Sequence, residues 1–177
     1  GLLIGNLFRL PAWLRSGVQT ELYVKIGLVL LGATILFMDI LSAGGYGLLQ
    51  AIIVVTVVWY FAFWLSRKMK IDDEFSTMLA SAVSICGVSA AIATAGAING
   101  DKKKLSFIIS LVLIIAIPMM IFLPIIAKWM GLSDVVTGAW LGGTIDTTGA
   151  VVAAGTIAGE TGLQYATIVK FSQNVLL

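Results

Sequence analysis

Apolar residues run along this chain in blocks too long for a soluble core. Residues 22–41, 47–65, 75–98, 105–130 and 135–157 are each predominantly apolar, close to or above the ~20 residues a helix needs to cross a hydrocarbon core. A sixth block opens near Ala166, and the chain ends inside it at Leu177. Between blocks, Ser42-Ala-Gly-Gly-Tyr46 predicts a short turn. Ser66-Arg-Lys-Met-Lys70 closes the second block, beside Tyr60, Phe61, Phe63 and Trp64. Aromatic rings next to cations are the mark of a membrane–water interface.

The blocks differ in kind. Residues 75–98 are built from small side chains, Ser81-Ala-Val-Ser-Ile-Cys-Gly-Val-Ser-Ala-Ala-Ile-Ala-Thr-Ala-Gly96, which suit a helix packed closely on all sides. Residues 105–130 are the greasiest, and Pro118 and Pro124 should kink or shorten that helix. Residues 135–157 hold one acid, Asp146, in an uncharged glycine-laced run.

Composition makes the membrane reading firm. The chain is 59% hydrophobic and 11% charged, against about 25% charged in a soluble domain. A net charge of +2 gives no reason to expect nucleic acid as a partner. One cysteine and no histidine exclude an internal disulfide, a Cys/His metal site and an imidazole proton relay. They also remove the usual nucleophile–base pairs, so an enzyme is not expected. The start inside an apolar stretch at Gly1 and the end inside a block read as a fragment, one incomplete transmembrane domain over residues 1–177 with about five full spans.

Charge by loop is uneven. If every block crosses, Arg9, Arg15, Lys25, Arg67, Lys68, Lys70 and Lys128 share one side, which should be cytoplasmic. Lys102, Lys103 and Lys104 then fall on the wrong side. Either they are an outlier, or residues 75–98 do not cross as one simple helix. An interrupted segment is allowed there only if protein or water covers its free backbone groups.

Candidate chemistry gathers in two places. Ser84, Cys86, Gly87 and Ser89 combine hydroxyls, a thiol and a glycine at mid-membrane depth. An interruption near Gly87 would expose backbone amides that favour an anion; tight packing through small residues explains the same sequence without a ligand. Asp146 lies among Gly142, Gly143, Thr144, Thr147, Thr148 and Gly149. An ionised carboxylate in lipid costs roughly 2.5–3.5 kcal/mol on insertion scales, so it faces protein or water and either marks a functional site or ties helices together. Beside an anionic solute Asp146 must be protonated, or act as the coupling site for H⁺ or Na⁺; a cationic solute it could bind directly. Lys170, with Gln173 and Asn174 at helical spacing, either pairs with Asp146 or an anionic ligand, or snorkels to the interface. Lys102–Lys104 reads as a solvated loop that favours anionic headgroups, and Asp72-Asp-Glu74 as an acidic N-terminal cap of the third block.

Ile85-Cys-Gly-Val-Ser-Ala-Ala-Ile-Ala93, followed after the greasy block by Gly138-Ala-Trp-Leu-Gly-Gly-Thr-Ile145 and Val152-Ala-Ala-Gly155, resembles the YeiH-type family of bacterial sulfate exporters. The resemblance runs over nearly the whole chain. It implies an all-α polytopic helix bundle of the bile-acid-transporter-like group, built from inverted repeats with crossed, interrupted helices, of which this chain would be about half. It also implies residence in the bacterial inner membrane and ion-coupled export or exchange of a small anion such as sulfate. On that reading Ser84, Cys86, Gly87, Ser89, Thr144, Thr147 and Thr148 contact the solute, and Asp146 and Lys170 couple the ion. The only partners expected are the bilayer, the solute and, as an open question, further copies of the chain; no cofactor is expected. One departure stands out. Many relatives read Ile-His-(Asp/Glu)-x-x-Gln before Val-Val-Ala-Ala-Gly, whereas here Asp146 takes the histidine's place, Thr147 the acid's and Ala150 the glutamine's. The carboxylate has moved by one position, about 100° around a helix. The shift keeps two other readings open: a cation-coupled transporter or antiporter of another solute with Asp146 as ion ligand, and a non-transporting membrane module.

Overall fold

In hydrocarbon a lone segment can pair its own backbone only as a helix, and every regular element among the described residues is helical. The structure is a computed structural model that describes the backbone of residues 37–177 and the side chains from residue 45 onward, together with Ile26. Its helices are α1 (Phe37–Lys68), α2 (Asp73–Ser84), α3 (Val88–Ala97), α4 (Lys102–Trp129), α5 (Asp134–Thr144), α6 (Thr148–Ala158) and α7 (Glu160–Asn174). The expected span 22–41 lies outside the described residues as far as residue 36.

Among the described residues, two helices are long enough to cross. The apolar part of α1, Gly45–Lys68, has 24 residues and α4 has 28, which at 1.5 Å per residue gives roughly 36 and 42 Å. Two expectations change here. The turn expected at 42–46 is helical, because unwinding two glycines in hydrocarbon would leave their backbone groups unpaired. Pro118 and Pro124 do not end α4, which runs through both; flanking turns keep their own hydrogen bonds, and only the two missing N–H groups are lost. Outward from these helices stand Leu49, Ile52, Ile53, Val57, Phe61 and Trp64 on α1, and Ile114, Ile117, Ile121, Phe122 and Ile125 on α4. An apolar surface of that size belongs in lipid. Trp59 stacks on Phe63 at 5.3 Å and Lys68 covers the Trp64 ring at 5.1 Å, as an interfacial anchor requires.

Blocks 75–98 and 135–157 do not cross. Each breaks at its middle and returns to the face it came from. Asp72 caps α2 by accepting from Phe75 N at 2.9 Å, and Asp101 caps α4 by accepting from Lys103 N and Lys104 N. Lys104 Nζ then donates to Asp72 at 2.9 Å and to Glu74 at 2.7 Å, while Glu74 also accepts from the Asp101 backbone N–H. The start of α2 and the end of α3 are therefore fastened together at one surface. At the opposite surface, a methyl group added at Gly162 would lie 2.8 Å from Ala158 Cβ and 3.8 Å from the Asp134 carbonyl. The start of α5, the end of α6 and the start of α7 thus meet there. At 12 and 11 residues, α2 and α5 each reach roughly 17 Å, about half of the ~30 Å hydrocarbon thickness. The chain forms two re-entrant hairpins, α2–α3 and α5–α6, entering from opposite faces.

Among the described residues this fold removes the charge anomaly; Arg9, Arg15 and Lys25 lie outside them. Because block 75–98 turns back, Lys102, Lys103 and Lys104 share a face with Arg67, Lys68 and Lys70, and Lys128 lies at the far end of α4. The packing beneath is made of small residues. Met78, Ala82, Ala91 and Ala95 bury the first hairpin against Ile108 and Val112 of α4. Leu141, Ile145, Val151 and Ala154 bury the second against Ala166 of α7. Gly142 of α5 lies so close to the Ala166 backbone that no side chain fits between them.

Candidate functional site

The site is built where the two hairpin tips touch. The first tip is Ile85-Cys86-Gly87, and its reversal depends on Gly87 at φ 65°, a left-handed conformation that costs other residues roughly 1–2 kcal/mol. Gly87 N donates to the Ala82 carbonyl at 2.8 Å to close α2, and its own carbonyl accepts from Ala91 N to open α3. The second tip is Ile145-Asp146-Thr147, with extended backbone at Ile145 and Thr147. A methyl group at Gly87 would stand 3.0 Å from Thr147 Cγ2 and 3.6 Å from the Asp146 backbone carbon. The tips are in direct contact.

Each half-helix that stops mid-membrane leaves unpaired carbonyls at its C-terminal end. One residue answers both. Lys170 of α7, 2% exposed, donates from Nζ to the Ile85 carbonyl at 2.7 Å and to the Ile145 carbonyl at 2.9 Å. Its third partner is Gln173 Oε1 at 3.1 Å. Gln173 Nε2 in turn donates to the Gly143 carbonyl at 3.2 Å. The cation sits at the negative ends of α2 and α5, where the helix dipole favours it. The N-terminal ends of α3 and α6 carry the opposite sign, and neither N-cap residue, Gly87 or Thr147, closes its helix with a side-chain hydrogen bond.

The residues expected from sequence fall into three groups. Cys86 and Gly87 are buried at the first tip, with Asp146, Thr147 and Thr148 half-buried at the second. Thr148 Oγ1 accepts from Asn174 Nδ2 at 3.4 Å. Asp146 forms no hydrogen bond or ion pair with any other described residue. Ser89 and Thr144 are exposed, on the first turn of α3 and the last of α5. Ser84 is buried as the last residue of α2, directly before the tip, and its hydroxyl bonds back to the Ser81 carbonyl at 3.4 Å.

Lys170 is buried at the hairpin tips rather than at an interface. It does not snorkel, and its ammonium forms no ion pair with Asp146; three nearby oxygens, two of them the carbonyls that the helix breaks set free, hold it instead. Nor does it lie near a helix start, because α7 begins at Glu160 rather than Ala166. Reasoning from side chains missed the Ile85, Gly143 and Ile145 carbonyls. The one available signal was the i, i+3 spacing of Lys170 and Gln173, which places a cation and an amide on one face.

Comparison with known proteins places the chain among bacterial membrane proteins. The family described as Conserved hypothetical protein 698 matches residues 1–177. A UPF0324 membrane protein of Rhodopirellula baltica is 45% identical across 100% of this chain and 33% of its own length. One from Nitratidesulfovibrio vulgaris is 41% identical over 100% of this chain and 31% of its own. A third, from Lactiplantibacillus plantarum, is 31% identical over 100% of this chain and 54% of its own. The chain thus spans about a third to a half of the length of these relatives. No solved structure matches it.

Proposed function

The chain belongs to the family described as Conserved hypothetical protein 698, and from that premise we propose that it is the hairpin-bearing part of a secondary transporter for a small anion such as sulfate, exported or exchanged against an ion gradient. The observation that carries the reading is the meeting of two interrupted segments tip to tip. Opposed half-helices near the midplane are how secondary transporters build a solute site. The signs of charge favour an anion: Lys170 neutralises the two C-terminal ends, and the uncapped N-terminal ends of α3 and α6 remain. Cys86, Gly87, Ser89, Thr144, Thr147 and Thr148 line or flank that place.

Asp146 is the coupling residue in this reading. An anion beside an ionised carboxylate is repelled, so Asp146 takes up H⁺ or Na⁺ when the solute is bound. Its lack of hydrogen-bond partners favours the second reading as well, in which Asp146 ligates a cation that drives another solute. In this reading the activity is transport rather than catalysis, and none of these 177 residues is a histidine that would activate Cys86 or a threonine. We place the protein in the bacterial inner membrane with the face of Arg67, Lys70 and Lys103 in the cytoplasm.

Proteoliposomes of the full-length protein test both readings. Gradient-driven flux of labelled sulfate that Asp146→Asn uncouples or abolishes is the expected result. Absence of sulfate flux from folded wild type removes the sulfate assignment. Retained gradient-driven flux in Asp146→Asn removes the residue's coupling role.

A further inference from the structure

Lys170 occupies a cage made only of oxygen. The Ile85 carbonyl, the Ile145 carbonyl and Gln173 Oε1 stand 2.7, 2.9 and 3.1 Å from its Nζ. An ammonium has three N–H donors and no acceptor, so three acceptors match it completely. A neutral amine would turn its lone pair on one of those oxygens. The cage is also held rigidly. Two of its oxygens are main-chain atoms at the ends of α2 and α5, and the third is aimed by the bond from Gln173 Nε2 to the Gly143 carbonyl.

Remove the lysine stem and what remains is the chemistry of an alkali-cation site. Carbonyl oxygens from unwound backbone and from half-helix C-terminal ends are the ligands that coordinate Na⁺ in interrupted-helix transporters. Carbonyls likewise replace the hydration shell of K⁺ in selective pores, and an ammonium is close to K⁺ in size. We infer that the cage at the two hairpin tips is a monovalent-cation site filled permanently by the tethered ammonium of Lys170. The protein therefore needs no dissociable cation there to hold its tips together, and an added Na⁺ or K⁺ has no access while the lysine is present. Gln173 is a cage ligand, and the lysine's four-carbon stem is the plug.

The readout is stability, so the inference stands or falls independently of the transported solute. Thermal unfolding of the full-length protein in detergent would be followed in an Asp146→Asn parent, so that no cation held by that carboxylate enters the readout, and in its Lys170→Ala and Lys170→Met derivatives, at constant ionic strength, in choline, Li⁺, Na⁺ or K⁺ chloride. The Asp146→Asn parent, with Lys170 in place, should be indifferent to the choice of cation. Lys170→Ala should unfold several degrees lower in choline and recover a saturable part of that loss in Na⁺ or K⁺, as linked binding to the folded state requires. Lys170→Met keeps the bulk without the charge, and should be destabilised with no recovery. Lys170→Ser, which is small and adds an oxygen ligand, serves if Lys170→Ala is not recovered. The inference is overturned if Lys170→Ala or Lys170→Ser shows no cation response, or if the Asp146→Asn parent or Lys170→Met responds as they do. It is also overturned if neither small variant can be recovered even when prepared in Na⁺ and K⁺, because a cation able to fill the cage would have sustained them.

Discussion

The same chemical change, glycine to alanine, should act with opposite sign at Gly142 and at Gly96. At Gly142 the added methyl group would meet the carbonyl oxygen of Ala166, with the Ala166 Cα at 3.0 Å and its carbonyl carbon at 3.1 Å. All three are backbone atoms of α7 and cannot rotate away. Ordinary contact begins near 3.4 Å, so α5 and α7 must separate by several tenths of an ångström or more. That movement would also loosen Leu141 and Ile145 from Ala166 in the core of the second hairpin. Overpacking of this kind costs about 1–3 kcal/mol, which outweighs the ~0.8–1 kcal/mol that alanine gains over glycine within a helix. At Gly96, in the exposed part of α3, nothing lies within 4 Å of the new methyl group, and only the propensity gain of up to ~1 kcal/mol remains. Thermal unfolding with a thiol-reactive fluorogenic dye reads both, in a full-length background whose single thiol is Cys86, buried at the first tip. Gly142→Ala should expose Cys86 at a lower temperature than the parent, and Gly96→Ala at the same or a higher one. Equal stability of the two variants would refute the close helix approach.

Two further predictions concern the faces of the molecule. Asp72 is held below its ordinary carboxylate value of 3.8 by the Phe75 N–H and then by Lys104, and Asp101 by the N–H groups of Lys104 and Lys103. A depressed carboxylate contributes stability that is present above its unfolded value and is lost as pH falls through the folded one. The melting temperature should therefore drop below about pH 4, and less steeply in Asp101→Asn, which still caps α4 but does not titrate; an identical slope in the two proteins would contradict this. Lys103→Cys and Glu160→Cys should lie on opposite sides of the membrane, so an impermeant maleimide should label intact cells carrying Glu160→Cys, and those carrying Lys103→Cys only after permeabilisation. Labelling of both from one side would rule out the two-hairpin topology.

The helical class and the break near Gly87 were legible in the sequence, because small residues are what a mid-membrane interruption needs, whereas residues 135–157 read as a full span. The return of each broken segment to its own face was not. A crossing helix and a hairpin of the same composition have the same periodicity, and only the misplaced Lys102–Lys104 hinted at the difference. The prolines of α4 do not shorten it, since a long apolar helix tolerates the loss of two hydrogen bonds when lipid offers the freed groups no better partner. Lys170 was noticed as a charge, but its partners are backbone carbonyls 85 and 25 residues away. No side-chain pattern announces a carbonyl that a distant turn has set free.

That 85-residue gap fixes an order of events at the ribosome. The Ile85 carbonyl at the first hairpin tip finds its donor only on α7, after α4 and the second hairpin have been synthesised. Until then the tip would carry an unpaired polar group into lipid, at a cost of several kcal/mol. The first hairpin should therefore be made early and seated late, its tip entering the bilayer centre only once the segment bearing Lys170 has emerged.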